Sequence, residues 1–152
     1  MEAALVNPFV EGTLYILDTT ASVKAKPGKP FLKKRADAQG DICGILEITG
    51  DISGSARVSF SEKSILGIVS SMFGEEMTRI DDEIKDAVGE IGNMISGHVN
   101  TKMTELGKNV RVKLSGVAIG SQELPAFDPM AQVLVLPFLT TKGNLVVEVC
   151  FS

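Results

Sequence analysis

The sequence predicts a mixed α/β or α+β fold, a β-sheet with helices packed on it, and three observations lead there. Residues 80–106 carry apolar side chains at steps of three and four (Ile80, Ile84, Val88, Ile91, Ile95, Val99, Met103, Leu106), the period of an amphipathic helix. Residues 54–60 instead alternate Ala56, Val58 and Phe60 with Ser55, Arg57 and Ser59, the period of a strand with one buried face. Helical and strand-like stretches also interleave along 152 residues, a length that suits one domain, 1–152, with a substantial core.

Taken in order, residues 2 to about 20 read as a first helix, with Leu5, Val6, Phe9, Thr13, Leu14 and Leu17 on one face and Pro8 near its start. A Pro/Gly/Lys stretch follows, holding Lys24, Lys26, Lys29, Lys33, Lys34 and Arg35; it reads as solvated loop and edge strand, because lysines blunt exposed sheet edges. Residues 42–49 and 54–60 form two strands around Gly50-Asp51-Ile52-Ser53. Ser61 is the expected N-cap of a helix to Phe73, with Gly74 as its stop and Ile65, Ile68, Val69, Met72 and Phe73 in the core. Asp81 and Asp82 open the long helix, at the positive end of its dipole. Residues 110–119 form a strand, 122–130 a proline-containing loop, and 132–139 and 144–151 a closing pair of strands. The ends of the two hairpins, Val58-Ser-Phe-Ser61 and Val149-Cys-Phe-Ser152, echo each other, as two halves of an internal duplication would.

Composition narrows the function. Apolar content of 44% and a net charge of −4 describe a soluble globular chain, with no segment of transmembrane length and no secretory leader, so the expected setting is cytoplasmic and away from membranes. Mild acidity argues against nucleic acid as a partner. Cys43 and Cys150, without CxxC spacing, read as buried small hydrophobes in a reducing compartment. No Walker A, GxGxxG, GxSxG or HExxH motif occurs. The one histidine, His98, falls on the apolar side of the long helix as a packing residue, and no His/Cys cluster offers a zinc site. The acidic start Asp81, Asp82, Glu83 and Asp86 is explained by the helix dipole, so no metal is expected on this chain.

One constellation remains. Asp86, Glu90 and Asn93 lie within about 60° of one another on the helical wheel, opposite the apolar arc. Gly89 and Gly97 flank them, and interior glycines, each destabilising by roughly 1 kcal/mol against alanine, point to close approach by another backbone or a partner. Such polar residues are either plain solvated surface or a docking site. An amide cannot act as a general base, but it can hold a water by accepting one hydrogen bond and donating another. Phosphoryl transfer depends mostly on positioning and charge stabilisation, so such a water could attack a phosphoryl group delivered by a partner.

The run Gly89-Glu90-Ile-Gly92-Asn93-Met94 with Gly97, and Asp86 four residues before Glu90, resembles the signature of the CheC/CheX/FliY family of chemotaxis phosphatases, and is closest to the CheX pattern. Ile48-Thr49-Gly50, Gly54, Leu106-Gly107-Lys108 and the asparagine-bearing first helix extend the likeness. The resemblance implies a CheX-like α+β fold, a mixed sheet of about six strands with three helices, two of them long. It also implies dephosphorylation of a CheY-like response regulator in chemotaxis or another two-component pathway. Glu90 would contact the regulator's active-site lysine and Asn93 would position the attacking water, with Asp86, Gly89 and Gly97 beside them at the partner surface. The chain itself would bind no cofactor, since Mg²⁺ belongs to the regulator, and it would form a homodimer. The first helix has only Glu11-Gly-Thr-Leu14 and no Glu-x-x-Asn, so one site per chain is implied. The family pattern has a proline about 22 residues beyond the asparagine, where this chain has Lys113-Leu114-Ser115-Gly116. A competing reading is a non-catalytic module or scaffold that binds a phosphorylated regulator without hydrolysing it.

Overall fold

Helix α1 spans Ala3–Ala21 and buries Phe9, Thr13 and Leu17, with Pro8 inside its first half. Two short strands follow, β1 (Lys26–Pro27) and β2 (Phe31–Lys33), then the hairpin β3 (Ile42–Gly50) and β4 (Gly54–Phe60). Ser61 caps α2 (Glu62–Phe73) by accepting from the Ser64 N–H, and Gly74 ends it in the left-handed conformation at φ 68°. Asp81 caps α3 (Asp82–Glu105) by accepting from the Ile84 N–H at 3.1 Å. Strands β5 (Val110–Ile119), β6 (Val133–Leu139) and β7 (Leu145–Phe151) complete the order. This computed structural model describes residues 3–33, 40–120 and 132–151, so Lys34, Arg35 and the expected loop over 122–130 lie outside the described residues.

The seven strands form one sheet in the order β1-β6-β7-β4-β3-β5, with β2 also on β6. Three helices and the interleaved strands are as the sequence implied. One detail differs: each strand pairing is antiparallel rather than mixed. The basic stretch, expected as loop and edge strand, contributes two short strands on β6. One sheet face carries Leu46, Ile48, Ala56, Val58, Phe60, Leu136, Phe138, Val147 and Val149 into the main core, where they meet Phe9, Ile65, Ile68, Val69, Ile84, Ile91, Ile95 and Val99 from the helices. Phe73 and Leu106, expected inside, stand at helix ends and are 43% and 54% exposed, beyond the reach of the sheet. Among the described residues no helix is long and apolar enough to cross a membrane.

The opposite face holds a smaller apolar cluster of Val133, Val135 and Cys150, and two buried ions. Arg57 and Glu148 are direct neighbours across β4 and β7, and Lys33 Nζ reaches Glu148 Oε2 at 2.5 Å. Burial lowers the pKa of the Arg57 guanidinium and pushes the Cys43 thiol up to about 11, so Cys43 is protonated and inert at neutral pH, as a buried small hydrophobe should be.

The pairings bear out the internal duplication. Gly54 of β4 and Leu145 of β7 are partnered by Ile48 of β3 and Phe138 of β6. Those in turn face Val112 of β5 and Pro27 of β1. The match puts α1 through β4 in correspondence with α3 through β7, α2 being the connector, and the first strand or strands of each half pair with the other half. Even an irregularity repeats. Between Ile48 and Ile45 strand β5 carries one extra residue, stepping from Val112 to Gly116, and β1–β2 does the same against β6 between Pro27 and Phe31. Ser115 is the extra residue at the β-bulge of β5, and the break 28–30 between β1 and β2 stands in the equivalent place.

Candidate functional site

Helix α3 lies along β5 at the sheet edge. Two features press it there. Gly92 is buried, and a Cβ on it would lie 3.0 Å from Leu114 Cδ1, so a larger residue here would make the end of Leu114 give way or lift the helix. Gly89 is similar but looser, with Val117 Cγ2 and Leu114 Cδ2 at 3.6 and 3.7 Å from where its Cβ would be. Two turns below Asn93, the Asn100 side chain fixes the helix over the strand: its Nδ2 donates to the Val112 carbonyl at 2.9 Å, and its Oδ1 accepts from the Val112 N–H at 2.7 Å.

Asp86, Glu90 and Asn93 project from the exposed side of this anchored helix, as the wheel implied. They line one open groove of about 470 Å³ together with Lys85, Gly89, Leu114 and Val117. Among the described residues no hydrogen bond or ion pair engages Asp86, Glu90 or Asn93, so their polar atoms face outward for water or a partner. Gly89 borders the groove, but the close approach it permits is by the chain's own β5. Gly97 is exposed, with open space for 4 Å around the place a Cβ would take, and it does not line the groove. His98 is a packing residue as expected, half-buried against Gly12, with its ring centroid 5.4 Å from that of Tyr15.

The donor set suits a phosphoprotein better than a free anion. The start of α3 is rich in carboxylates, with Lys85 the nearby cation, so a bare phosphate dianion would be repelled unless its charge arrived neutralised. A carboxylate at Glu90 suits a lysine ammonium, and an amide one turn on, at Asn93, suits a water. Among the described residues no group of three or more His, Cys, Asp or Glu side chains could hold a metal ion. Sequence reasoning missed Leu114, Val117 and Asn100. The first two carried a visible signal: Val110, Val112 and Leu114 keep the period of two, and Val117 breaks it.

Comparison with known proteins agrees with this geometry. Residues 42–139 match the family model for the chemotaxis phosphatase CheX. Over 121 residues, 79% of this chain and 78% of the relative, the sequence is 31% identical to the CheY-P phosphatase CheX of Thermotoga maritima. A CheC-like superfamily protein from Shewanella sp. PV-4 superposes with a TM-score of 0.89 at 33% identity, covering 100% of this chain and 99% of that one. The chemotaxis protein CheX from Desulfovibrio desulfuricans superposes at 0.86, also with 33% identity, covering 97% and 99%.

Proposed function

Because the chain belongs to the CheX family of chemotaxis phosphatases, we propose that it hydrolyses the aspartyl phosphate of a CheY-like response regulator in the cytoplasm. The observation that carries this reading is the pairing of Glu90 and Asn93, one helical turn apart, exposed and unengaged in the groove between α3 and β5.

In this mechanism the regulator brings the phosphoryl group, its Mg²⁺ and its lysine. Glu90 accepts a hydrogen bond from that lysine and fixes the register of docking. Asn93 accepts a hydrogen bond from one water and donates to its oxygen, aligning it for in-line attack on phosphorus. The P–O bond to the aspartate breaks, the water oxygen bonds to phosphorus, and inorganic phosphate and a free carboxylate result. Acyl phosphates hydrolyse unaided, so a few kcal/mol of barrier reduction suffices, each 1.36 kcal/mol giving tenfold. One oriented water and one fixed contact are enough for that. Asp86 and Gly89 border the docking surface, and a homodimer, which light scattering would detect, belongs to the same proposal.

The test follows phosphate loss from a phosphorylated CheY-like receiver with Mg²⁺. The parent should accelerate it. Asn93→Ala should lose about 100-fold or more of that acceleration while still binding the receiver, and Glu90→Ala should weaken both docking and rate. Equal activity of parent and both variants would reject the assignment. Binding without any acceleration by the parent would favour the scaffold.

A further inference from the structure

We propose that Leu114 and Val117, brought side by side by the β-bulge at Ser115, form an apolar seat for the receiver domain and set its approach to Asn93. The inference rests on the reading of Glu90 and Asn93 given above.

The argument starts from strand geometry. Side chains of β5 alternate, and Val112 and Leu114 pair with Ile48 and Leu46, residues of the helix-facing core. An uninterrupted strand would turn residue 117 to the opposite face, since it lies an odd number of steps from 114. The register instead jumps: Leu46 faces Leu114, Ile45 faces Gly116, and Ser115 is the extra residue between them. Val117 then lies opposite Gly44 and joins Leu114 on the helix side. Bulges that re-aim a side chain are common beside active sites.

Both side chains end only half-buried. The Cβ-less Gly89 and Gly92 let α3 settle so that Leu114 and Val117 flank the helix and show a side to solvent. Among the described residues they are the only large apolar side chains lining a groove otherwise made of Lys85, Asp86, Gly89, Glu90 and Asn93. Water at this wall finds no hydrogen-bond partner, so covering it is favourable. Its continuity with the two polar residues identifies the occupant: whatever presents a phosphoryl group to Asn93 and a lysine to Glu90 covers the wall in the same encounter. A small free acyl phosphate is too small to reach both polar residues and the wall at once, whereas a folded phosphoprotein can span all of them.

The test is a split between KM and kcat. Val117→Thr keeps the branched shape and strand propensity but places a hydroxyl on the seat. With phosphorylated receiver as substrate, KM should rise about fivefold or more, kcat should stay within about twofold, and Val117→Ile should keep the parent's KM. A purely structural role would lower the melting temperature and leave KM alone. Asn93→Ala, measured alongside, should lower kcat and spare KM. If Asn93→Ala is inactive as expected but Val117→Thr keeps the parent's KM, the seat is wrong and the phosphatase reading stands. If Asn93→Ala is fully active, or the parent accelerates nothing, both are overturned.

Discussion

The two halves of this molecule share a strand layout down to a matching bulge, yet the groove with the polar pair belongs to one. Matching the buried faces of the two helices pairs Phe9 with Ile95, Thr13 with Val99 and Leu17 with Met103, which sets the exposed Asn7 opposite the exposed Asn93, and Ala4 opposite Glu90. The first half thus keeps an amide, Asn7, but has an alanine in place of the carboxylate, and Pro8 follows the amide where the other half has Met94. On the strand, Lys29 and Leu32 stand where the other half has Leu114 and Val117. The difference teaches that the helix-on-edge scaffold is permissive. A carboxylate and a low-lying helix, rather than the fold, distinguish the half that could do chemistry.

The strongest perturbation joins both halves at once. Glu148 is fully buried where β4 meets β7, facing Arg57 and paired with Lys33. Glu148→Ala leaves buried positive charge uncompensated and should lower the unfolding free energy by about 3–5 kcal/mol in urea denaturation, without altering receiver turnover at temperatures where the variant is folded. A weakened site with normal stability would mean that the halves communicate chemically and not only through packing.

Next comes the helix seat. Gly92→Ala puts a methyl 3.0 Å from the flexible end of Leu114, and the gain in helix propensity of about 1 kcal/mol offsets much of that crowding. Stability should change by less than about 1 kcal/mol, but displacement of Leu114 and α3 should reduce receiver turnover by about tenfold. Asn7→Ala, at the exposed first-half position that corresponds to Asn93, should change neither quantity. The smallest effect is expected from rebuilding the polar pair in the first half. Ala4→Glu, which sets a carboxylate one helical turn before Asn7, should change stability by less than about 0.5 kcal/mol. It should add no phosphatase activity, measured in an Asn93→Ala background, because the apolar wall and glycine seat are missing there. Activity in that background would show that the polar pair alone suffices.

Much of this was legible in the chain, and for local reasons. Ser61, Gly74 and Asp81 announce helix ends by short-range hydrogen bonding, and the wheel of α3 gathers Asp86, Glu90 and Asn93 without tertiary information. What escaped depends on partners distant in sequence. The basic stretch reads as loop and edge strand, but that Lys26–Pro27 and Phe31–Lys33 are the residues that pair is decided only by β6. The apolar wall escaped for the same reason, since the face on which Val117 stands is decided by its register against β3. Gly89 and Gly97 read as a need for close approach, but what approaches Gly89 is the side chains of β5, Gly97 has open space around it, and the tightest contact is at Gly92.

Asn100 has a consequence for assembly. Among the described residues strand β5 is an edge, and an edge with free rungs templates the addition of further strands from other molecules. At Val112 both rung groups are already taken by a side chain from the helix above. A stray strand that tried to zip along this edge would stop there, or would have to prise off the helix that carries the polar pair. The same two hydrogen bonds that hold the helix level thus guard the sheet against runaway polymerisation from this side.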